Sequence, residues 1–310
     1  MNRIKQLWKS AVAWGAATLV PRSVMRWEWF LMRLFFAPLV WLDLDSPKVY
    51  QYTTQPEPKG IASLGIDLTW LSNDWVYPGI LWVVGALLVP YVIGRGLLIV
   101  LPLLTLISVM VRTLENSQGA IQHSHQIIAL VLLAQTAVAF WLLARRRRGL
   151  DPLPLPSRSY YLFYTQGIVA AAYVTAAVSK FFNSKGLWIW NSPYLTFDLV
   201  KSKRQAYYKK LDETLTGAPE VALWVIDHPM ISRVAFGGAF FLELLAFVAL
   251  AGRRWSLAVG LGVISLHQGI FFLMNLTFRN NELVALIFFV NVPFWLALPF
   301  LKNRGALLRS

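Results

Sequence analysis

The sequence predicts an all-α polytopic integral membrane protein, a bundle of about eight transmembrane helices. Of its 310 residues, 57% are hydrophobic and 14% are charged, with a mean hydropathy of +0.53. Soluble domains are typically about 45–50% apolar. The apolar residues gather in long runs that could cross the hydrocarbon core. The 14 Trp and 11 Tyr suit the aromatic belts at membrane surfaces.

Residues 1–26 are predicted to form a basic interfacial helix. Five basic residues flank a short apolar run, and the stretch also carries Trp8 and Trp14. A signal peptide is the alternative, but no small-residue cleavage site follows the run. A basic, tryptophan-containing stretch is typical of a helix that lies on the cytoplasmic membrane surface.

A single membrane domain is predicted over residues 27–300. Its first span, about 27–44, contains Arg33 and ends near Asp43. The other spans are predicted at about 75–93, 97–111, 126–144, 160–182, 231–251, 255–276 and 282–300. Gly94 and Gly96 supply the turn between the second and third spans. A long outer loop, 183–230, is expected to be partly helical around QAYYKKLDETL.

The distribution of basic residues predicts that both termini are cytoplasmic. Segments assigned to the cytoplasmic side, including the tail 301–310, hold 16 Lys and Arg, and the short loops opposite hold 4. Basic residues are enriched in cytoplasmic loops. The loop 183–230 holds six more, offset by five acids. We expect an integral protein of a bacterial inner membrane.

The same residues exclude several function classes. The basic residues that give the chain its net charge of +14 lie between apolar spans. There they indicate topology and lipid-headgroup contacts, so no nucleic-acid partner is expected. There are no cysteines, which excludes disulfides and thiol chemistry. No P-loop, GxGxxG, GxSxG or HExxH motif occurs. In QHSHQ the two histidines are two residues apart, which does not place both on one helix face, so no metal is predicted.

Lys180 is the strongest candidate for chemistry, since a lysine inside a span costs about 2.5–3.5 kcal/mol on insertion scales. His123, His125 and His267 are predicted at a comparable depth on the outer side, with Glu243 somewhat deeper. Each has a structural alternative: a snorkelling lysine, a bundle histidine or a protonated interhelical donor. A desolvated lysine beside histidines suits proton abstraction from a lipid-soluble substrate.

Several segments, in order, resemble the horizontally transferred transmembrane (HTTM) domain family, which includes the membrane core of vitamin K-dependent gamma-carboxylase. MRLFFAPLVWLD is similar to the family's arginine followed ten residues later by an aspartate, here Arg33 and Asp43. QHSHQIIALVLL is similar to a segment that opens a span, with His123 on the family's histidine and Gln122 in place of an asparagine.

Three further segments carry the same resemblance. AYVTAAVSKFF places Tyr173 and Lys180 seven residues apart, as in the family. GGAFFLELLAF matches a glycine pair followed by an acid, here Glu243. ISLHQGIFFLMN matches a later span histidine, here His267. The tryptophan-to-glycine turn that follows the lysine in the family is WIWN in this chain.

The resemblance implies a site and a function. Lys180 would be the base that deprotonates a reduced isoprenoid quinone of the vitamin K or menaquinol class, and His123 would stabilise the resulting anion. Tyr173, His267, Gln122 and His125 would contact the quinone. Arg33, Asp43 and Glu243 would be structural polar residues of the membrane interior. O2, and CO2 if a glutamate is carboxylated, would be co-substrates.

Two alternative hypotheses for the function remain open. The chain could be a non-catalytic lipid- or quinone-binding protein that acts through a protein partner. A transporter is the third, although no inverted repeat is visible. Membrane lipids are the expected surroundings in all three cases.

Overall fold

The computed structural model describes residues 19–119, 123–211 and 220–301. Every regular element in these ranges is helical. Of the predicted interfacial helix 1–26, residues 1–18 lie outside the described part, and residues 19–25 are not helical. Gln122 and residues 302–310 of the predicted tail also lie outside it.

The α-helices of the described residues are numbered in chain order. They are α1 Arg26–Leu44, α2 Val76–Ile93, α3 Leu97–Asn116, α4 His123–Arg147, α5 Ser157–Asn183, α6 Thr196–Lys210, α7 Glu220–Asp227, α8 Pro229–Leu244, α9 Arg253–Met274, α10 Arg279–Ala285 and α11 Val292–Ala297. A π-helical turn, Leu286–Val290, joins α10 to α11. Short 3-10 helices cover Pro47–Gln51, Gly60–Leu64, Thr69–Ser72, Ser192–Leu195, Ala246–Ala251 and Leu298–Phe300.

Six of these segments are long and apolar enough to cross a membrane, which identifies a polytopic membrane protein. They are α2, α3, α4 from Ser124, α5, α9 and the continuous segment Arg279–Phe300. The other two predicted spans differ from them. The helix α1 carries four charged residues in 19, and α8 has only 16 residues before it tightens into the 3-10 segment Ala246–Ala251. A count of eight is therefore not confirmed.

The bundle is built from neighbours in sequence, closed by its last helices. The pairs α2–α3, α3–α4 and α4–α5 pack side by side, and α5 also packs against α8 and the segment Ala246–Ala251. The core between them is aromatic and aliphatic; Phe36, Tyr91, Leu104, Ile128 and Phe288 are almost fully buried. The face of α5 that holds Tyr173 and Ala177 is buried in this bundle.

Two glycines of α9 permit close helix contacts. A Cβ at Gly260 would lie 2.8 Å from Phe289 of the π turn, and one at Gly262 would lie 2.8 Å from Leu242 of α8. Small residues let membrane helices approach closely. The sequence therefore fixes α9 tightly between α8 and the last membrane segment.

The hairpin between α2 and α3 turns at Gly94, as predicted. Gly94 has a φ of +81°, and a Cβ there would overlap the guanidinium of Arg33. The Arg33 Nη1 donates to the Tyr91 carbonyl oxygen at 3.1 Å. Glycine is needed here both for the left-handed backbone and for the arginine that closes the turn.

The predicted outer loop 183–230 contains α6, α7 and the 3-10 helix Ser192–Leu195. Ser192–Leu195 and α7 contact α8, and α6 contacts α9. The segment therefore packs against α8 and α9.

Candidate functional site

Lys180 lies in the last turn of α5 and is paired with Glu243 of α8. Its Nζ donates to the Glu243 carboxylate, and the ammonium also lies 5.5 Å from the centre of the Trp188 ring. The lysine side chain is 30% exposed and the glutamate 10%. An anionic partner and an aromatic face both stabilise a charged lysine.

An apolar cavity of about 440 Å³, here called the lysine cavity, lies beside this pair. Its lining includes Phe181, which follows Lys180, and Leu244, which follows Glu243. Trp188 forms a further wall. The remaining lining residues are Val178, Phe182, Gly186, Ile189, Phe240 and Phe241. A cavity with this lining suits an apolar ligand. Neither Lys180 nor Glu243 is among its lining residues, and Trp188, whose ring contacts the Lys180 ammonium, connects the pair to the cavity.

Tyr173 and His267 meet two helical turns further into the bundle. Their ring centres are 5.9 Å apart, and the imidazole stacks on Phe278 at 4.8 Å. Asn281 donates to the Tyr173 hydroxyl at 3.4 Å. The His267 Nδ1 is buried and has no hydrogen-bond partner in the described part of the chain. An unsatisfied buried nitrogen is available to a ligand hydroxyl.

Asp43 is the centre of a second polar cluster. Its carboxylate contacts His125 Nδ1 at 2.6 Å, Asn280 Nδ2 at 2.8 Å and Arg112 Nε at 3.3 Å. Arg112 also donates to the Asp43 carbonyl oxygen and pairs with Glu115. The aspartate is buried, and the His125 side chain is 32% exposed. The cluster joins α1, α3, α4 and α10.

Two neighbouring asparagines of α10 connect the clusters. Asn280 contacts Asp43 and Asn281 contacts Tyr173. Consecutive residues on a helix point in different directions, so each can serve one cluster. Of the predicted residues, the structure thus joins His125 to Asp43, Tyr173 to His267, and Lys180 to Glu243.

Arg33 and His123 lie differently. Arg33 is ten residues before Asp43, about 15 Å along α1, and it belongs to the α2–α3 turn. His123 is the first residue of α4 and its side chain is outside the described part.

Sequence reasoning missed Arg112, Glu115, Asn280 and Asn281. The third span was predicted to end at residue 111, whereas α3 continues through a buried Arg112–Glu115 pair at spacing i, i+3. That spacing was the available signal, because such pairs face each other only on a helix. The asparagine doublet carries no charge and gave no signal.

A third buried cluster, at the end of the bundle opposite Asp43, was also missed. Arg253 pairs with Glu28 at 2.5 Å, and Asn291 donates to the same carboxylate at 2.6 Å. Arg22 reaches Gln166 at 3.0 Å nearby. Burial and then Arg253 lower the pKa of Arg22 to about 9, opposed by Glu28. This cluster ties α1 to α9 and the last segment.

Comparison with known proteins adds no relative: no protein-family model, no curated protein and no solved structure matches the chain. The resemblance to the HTTM domain family therefore stays a prediction that rests on the motifs quoted above. Among the described residues, no group of three or more histidine or carboxylate side chains could hold a metal ion.

Proposed function

We propose that the protein is an HTTM-like membrane protein that binds a reduced isoprenoid quinone and oxidises it with dioxygen. The observation that carries the proposal is the Lys180–Glu243 pair, which Trp188 links to the lysine cavity: the Trp188 ring contacts the Lys180 ammonium and also lines the cavity. A prenylated ring needs apolar walls, and a hydroquinone hydroxyl needs a polar group that can take its proton. The apolar walls and the ion pair are connected through Trp188.

Glu243 is central to how Lys180 would work. A paired ammonium cannot accept a proton, so Lys180 must first lose one. Transfer to the Glu243 carboxylate converts the ion pair into a neutral amine and a neutral acid, which an apolar site tolerates better than two separate charges. The amine can then take a hydroquinone proton.

The other predicted residues have defined parts in the proposal. His123 stabilises the hydroquinone anion, as the resemblance implies, and His267 offers its unpaired Nδ1 to the second ring oxygen. Tyr173, held by Asn281, orients the ring. Gln122 and His125 complete the polar side.

The proposed reaction balances as hydroquinone plus O2 giving quinone epoxide plus water. One oxygen atom enters the ring and the other leaves as water, so dioxygen is the only oxidant required. Coupled carboxylation would add CO2 to a carbon that loses its proton, on a substrate still to be identified.

A second candidate function is a quinone- or lipid-binding protein without catalysis. It is favoured by the same lysine, because Glu243 and Trp188 together hold the ammonium. In that role the ion pair only closes the lysine cavity, and the lysine never needs to release its proton.

Lys180→Arg separates the two functions. Arginine keeps the positive charge and can retain the Glu243 contact, but it cannot act as a base near neutral pH. We expect the variant to bind menaquinol with affinity near that of the wild type and to lose at least 100-fold in oxygen consumption, the usual scale of a general base. Binding is measured by titration and turnover with an oxygen electrode, on purified protein.

Lys185→Arg is the matched control, since Lys185 is exposed and should keep full turnover. If wild-type protein bound menaquinol without consuming oxygen, the catalytic function would be excluded and only the binding function would remain. Full turnover in Lys180→Arg would show that Lys180 takes no part in the reaction.

We also propose that α1 and the segment 229–251 cross the membrane, giving eight spans with both termini in the cytoplasm of a bacterial cell. The support is the charge count and the buried polar pairs on both elements. The charges Glu28, Arg33 and Asp43 of α1 face protein partners and not lipid.

A further inference from the structure

A second cavity, about 400 Å³, lies next to the lysine cavity and has a different character. We call it the arginine cavity; it is lined by Trp190, Asn191, Pro193, Tyr194, Thr196, Phe197, Ile226, Pro229 and Arg233. The two cavities share the segment Trp188–Trp190: Trp188 faces the lysine cavity and Trp190 the arginine cavity.

Among the described residues that line this cavity, Arg233 alone is charged. Its guanidinium carbon lies 3.9 Å from the centre of the Trp190 ring. Among the described residues its Nε donates to the Trp190 carbonyl oxygen at 3.5 Å, a long contact for oxygen, and its Nη1 donates to the Met230 sulfur at 3.5 Å. Within the described ranges, no carboxylate forms an ion pair with it. A guanidinium stacked on an aromatic ring can still donate from its remaining N–H groups, here those of Nη2, to an anion.

The neighbouring groups also favour an anion. The lining includes Pro229, the first residue of α8, and a helix N-terminus carries partial positive charge. The side-chain amide of Asn191 can donate as well. Asp198, in the first turn of α6, is not part of the lining.

The rim of the arginine cavity indicates where the anion comes from. Trp190, Tyr194, Phe197 and Met230 are each more than 60% exposed. These side chains flank α8 close to the end of α5, a candidate membrane span. Exposed aromatic side chains around a cation are typical of the membrane–water interface, where phosphate groups lie above acyl chains.

We propose that the arginine cavity binds the phosphate of a phospholipid headgroup, with Arg233 as the anion ligand and the aromatic rim among the acyl chains. The site is separate from the lysine cavity and does not depend on quinone chemistry. Through the shared segment Trp188–Trp190, the bound lipid would also hold the wall on which Lys180 lies.

Lipid titration followed by native mass spectrometry tests this proposal on delipidated, detergent-purified full-length protein. We expect phosphatidylglycerol to bind at least tenfold tighter than diacylglycerol with the same acyl chains, because only the former has the phosphate. Arg233→Gln should lose about tenfold in phosphatidylglycerol affinity, the scale of one hydrogen bond to a charged group. Arg233→Lys should lose less.

Arg254→Gln is the matched control, an exposed arginine at the start of α9, and it should bind like the wild type. Unchanged affinity in Arg233→Gln, or equal binding of diacylglycerol, would overturn the proposal. If millimolar inorganic phosphate displaced the lipid, the site would be one for free phosphate, and the proposal of a lipid ligand would be wrong. Because the readout is binding without quinone, an inactive protein leaves the result interpretable.

Discussion

Asp43 shows how a single buried carboxylate organises side chains from several helices. It accepts contacts from His125, Arg112 and Asn280, and these lie on three different helices. A buried charge is stable only while such partners satisfy it.

Asp43→Ala should therefore be among the most damaging single substitutions in the chain. It leaves Arg112 with only Glu115 as its carboxylate, and breaking a buried pair typically costs about 3–5 kcal/mol. We expect a large fall in the unfolding temperature in detergent. Asp45→Ala is the control, because Asp45 is exposed two residues further on and should change little. Equal melting of the two variants would mean that the cluster contributes nothing to stability.

At this scale the sequence identified residues but not their partners. Lys180 and Asp43 could be singled out because charge in an apolar run is expensive. Glu243 is 63 residues from Lys180, and Asn280 is 237 residues from Asp43. No local spacing predicts contacts of that separation, which only the packing of the whole bundle creates.

At the scale of elements, the α2–α3 hairpin depends on one glycine. Gly94→Ala would put a side chain into a left-handed conformation, at about 1–2 kcal/mol, and would also displace Arg33. We expect a loss of about 2 kcal/mol or more in unfolding free energy, measured by denaturant titration in mixed micelles.

Gly79→Ala is its control. Gly79 lies inside α2, and a Cβ there meets nothing within 4 Å. Alanine should be neutral or stabilise the helix by about 0.5–1 kcal/mol. If both substitutions changed the unfolding free energy equally, the close approach of Arg33 to the turn would contribute nothing to stability.

The apolar runs predicted the central parts of the long helices well. The polar residues near the helix ends led to wrong positions for those ends. Predicted span 160–182 corresponds to Ser157–Asn183, but 97–111 is short of Leu97–Asn116 because Arg112 and Glu115 satisfy each other inside the protein. The π turn Leu286–Val290 has no marker in its apolar sequence. The turn packs against Gly260 of α9, a contact that the local sequence does not reveal.

At the scale of the whole molecule, the orientation in the membrane remains a prediction from charge. Ser157 and Ser184 lie at the two ends of α5, a helix of 27 residues or about 40 Å. The chain has no cysteine, so single Cys residues at these positions are unique labels. In sealed cells, an impermeant maleimide should label Ser184→Cys, and Ser157→Cys only after the membrane is opened.

Labelling both positions in intact cells would contradict the proposed topology. Labelling of Ser157→Cys alone in intact cells would place Lys180 on the cytoplasmic side, away from the outer surface on which the predicted site depends. Each variant is checked for insertion by membrane fractionation, so that a misfolded protein is not read as a topology result.

The buried Glu28–Arg253 pair sets an order of events during synthesis. The two residues are 225 positions apart, and at about 5–20 residues per second the ribosome needs roughly 10–45 s to add the second after the first. Asn291, which donates to the same carboxylate, emerges later still. Throughout that interval Glu28 keeps its hydrogen bond from the Met25 backbone N–H but lacks the Arg253 guanidinium. Final docking of the amino-terminal segment must therefore wait until nearly the whole chain has been made.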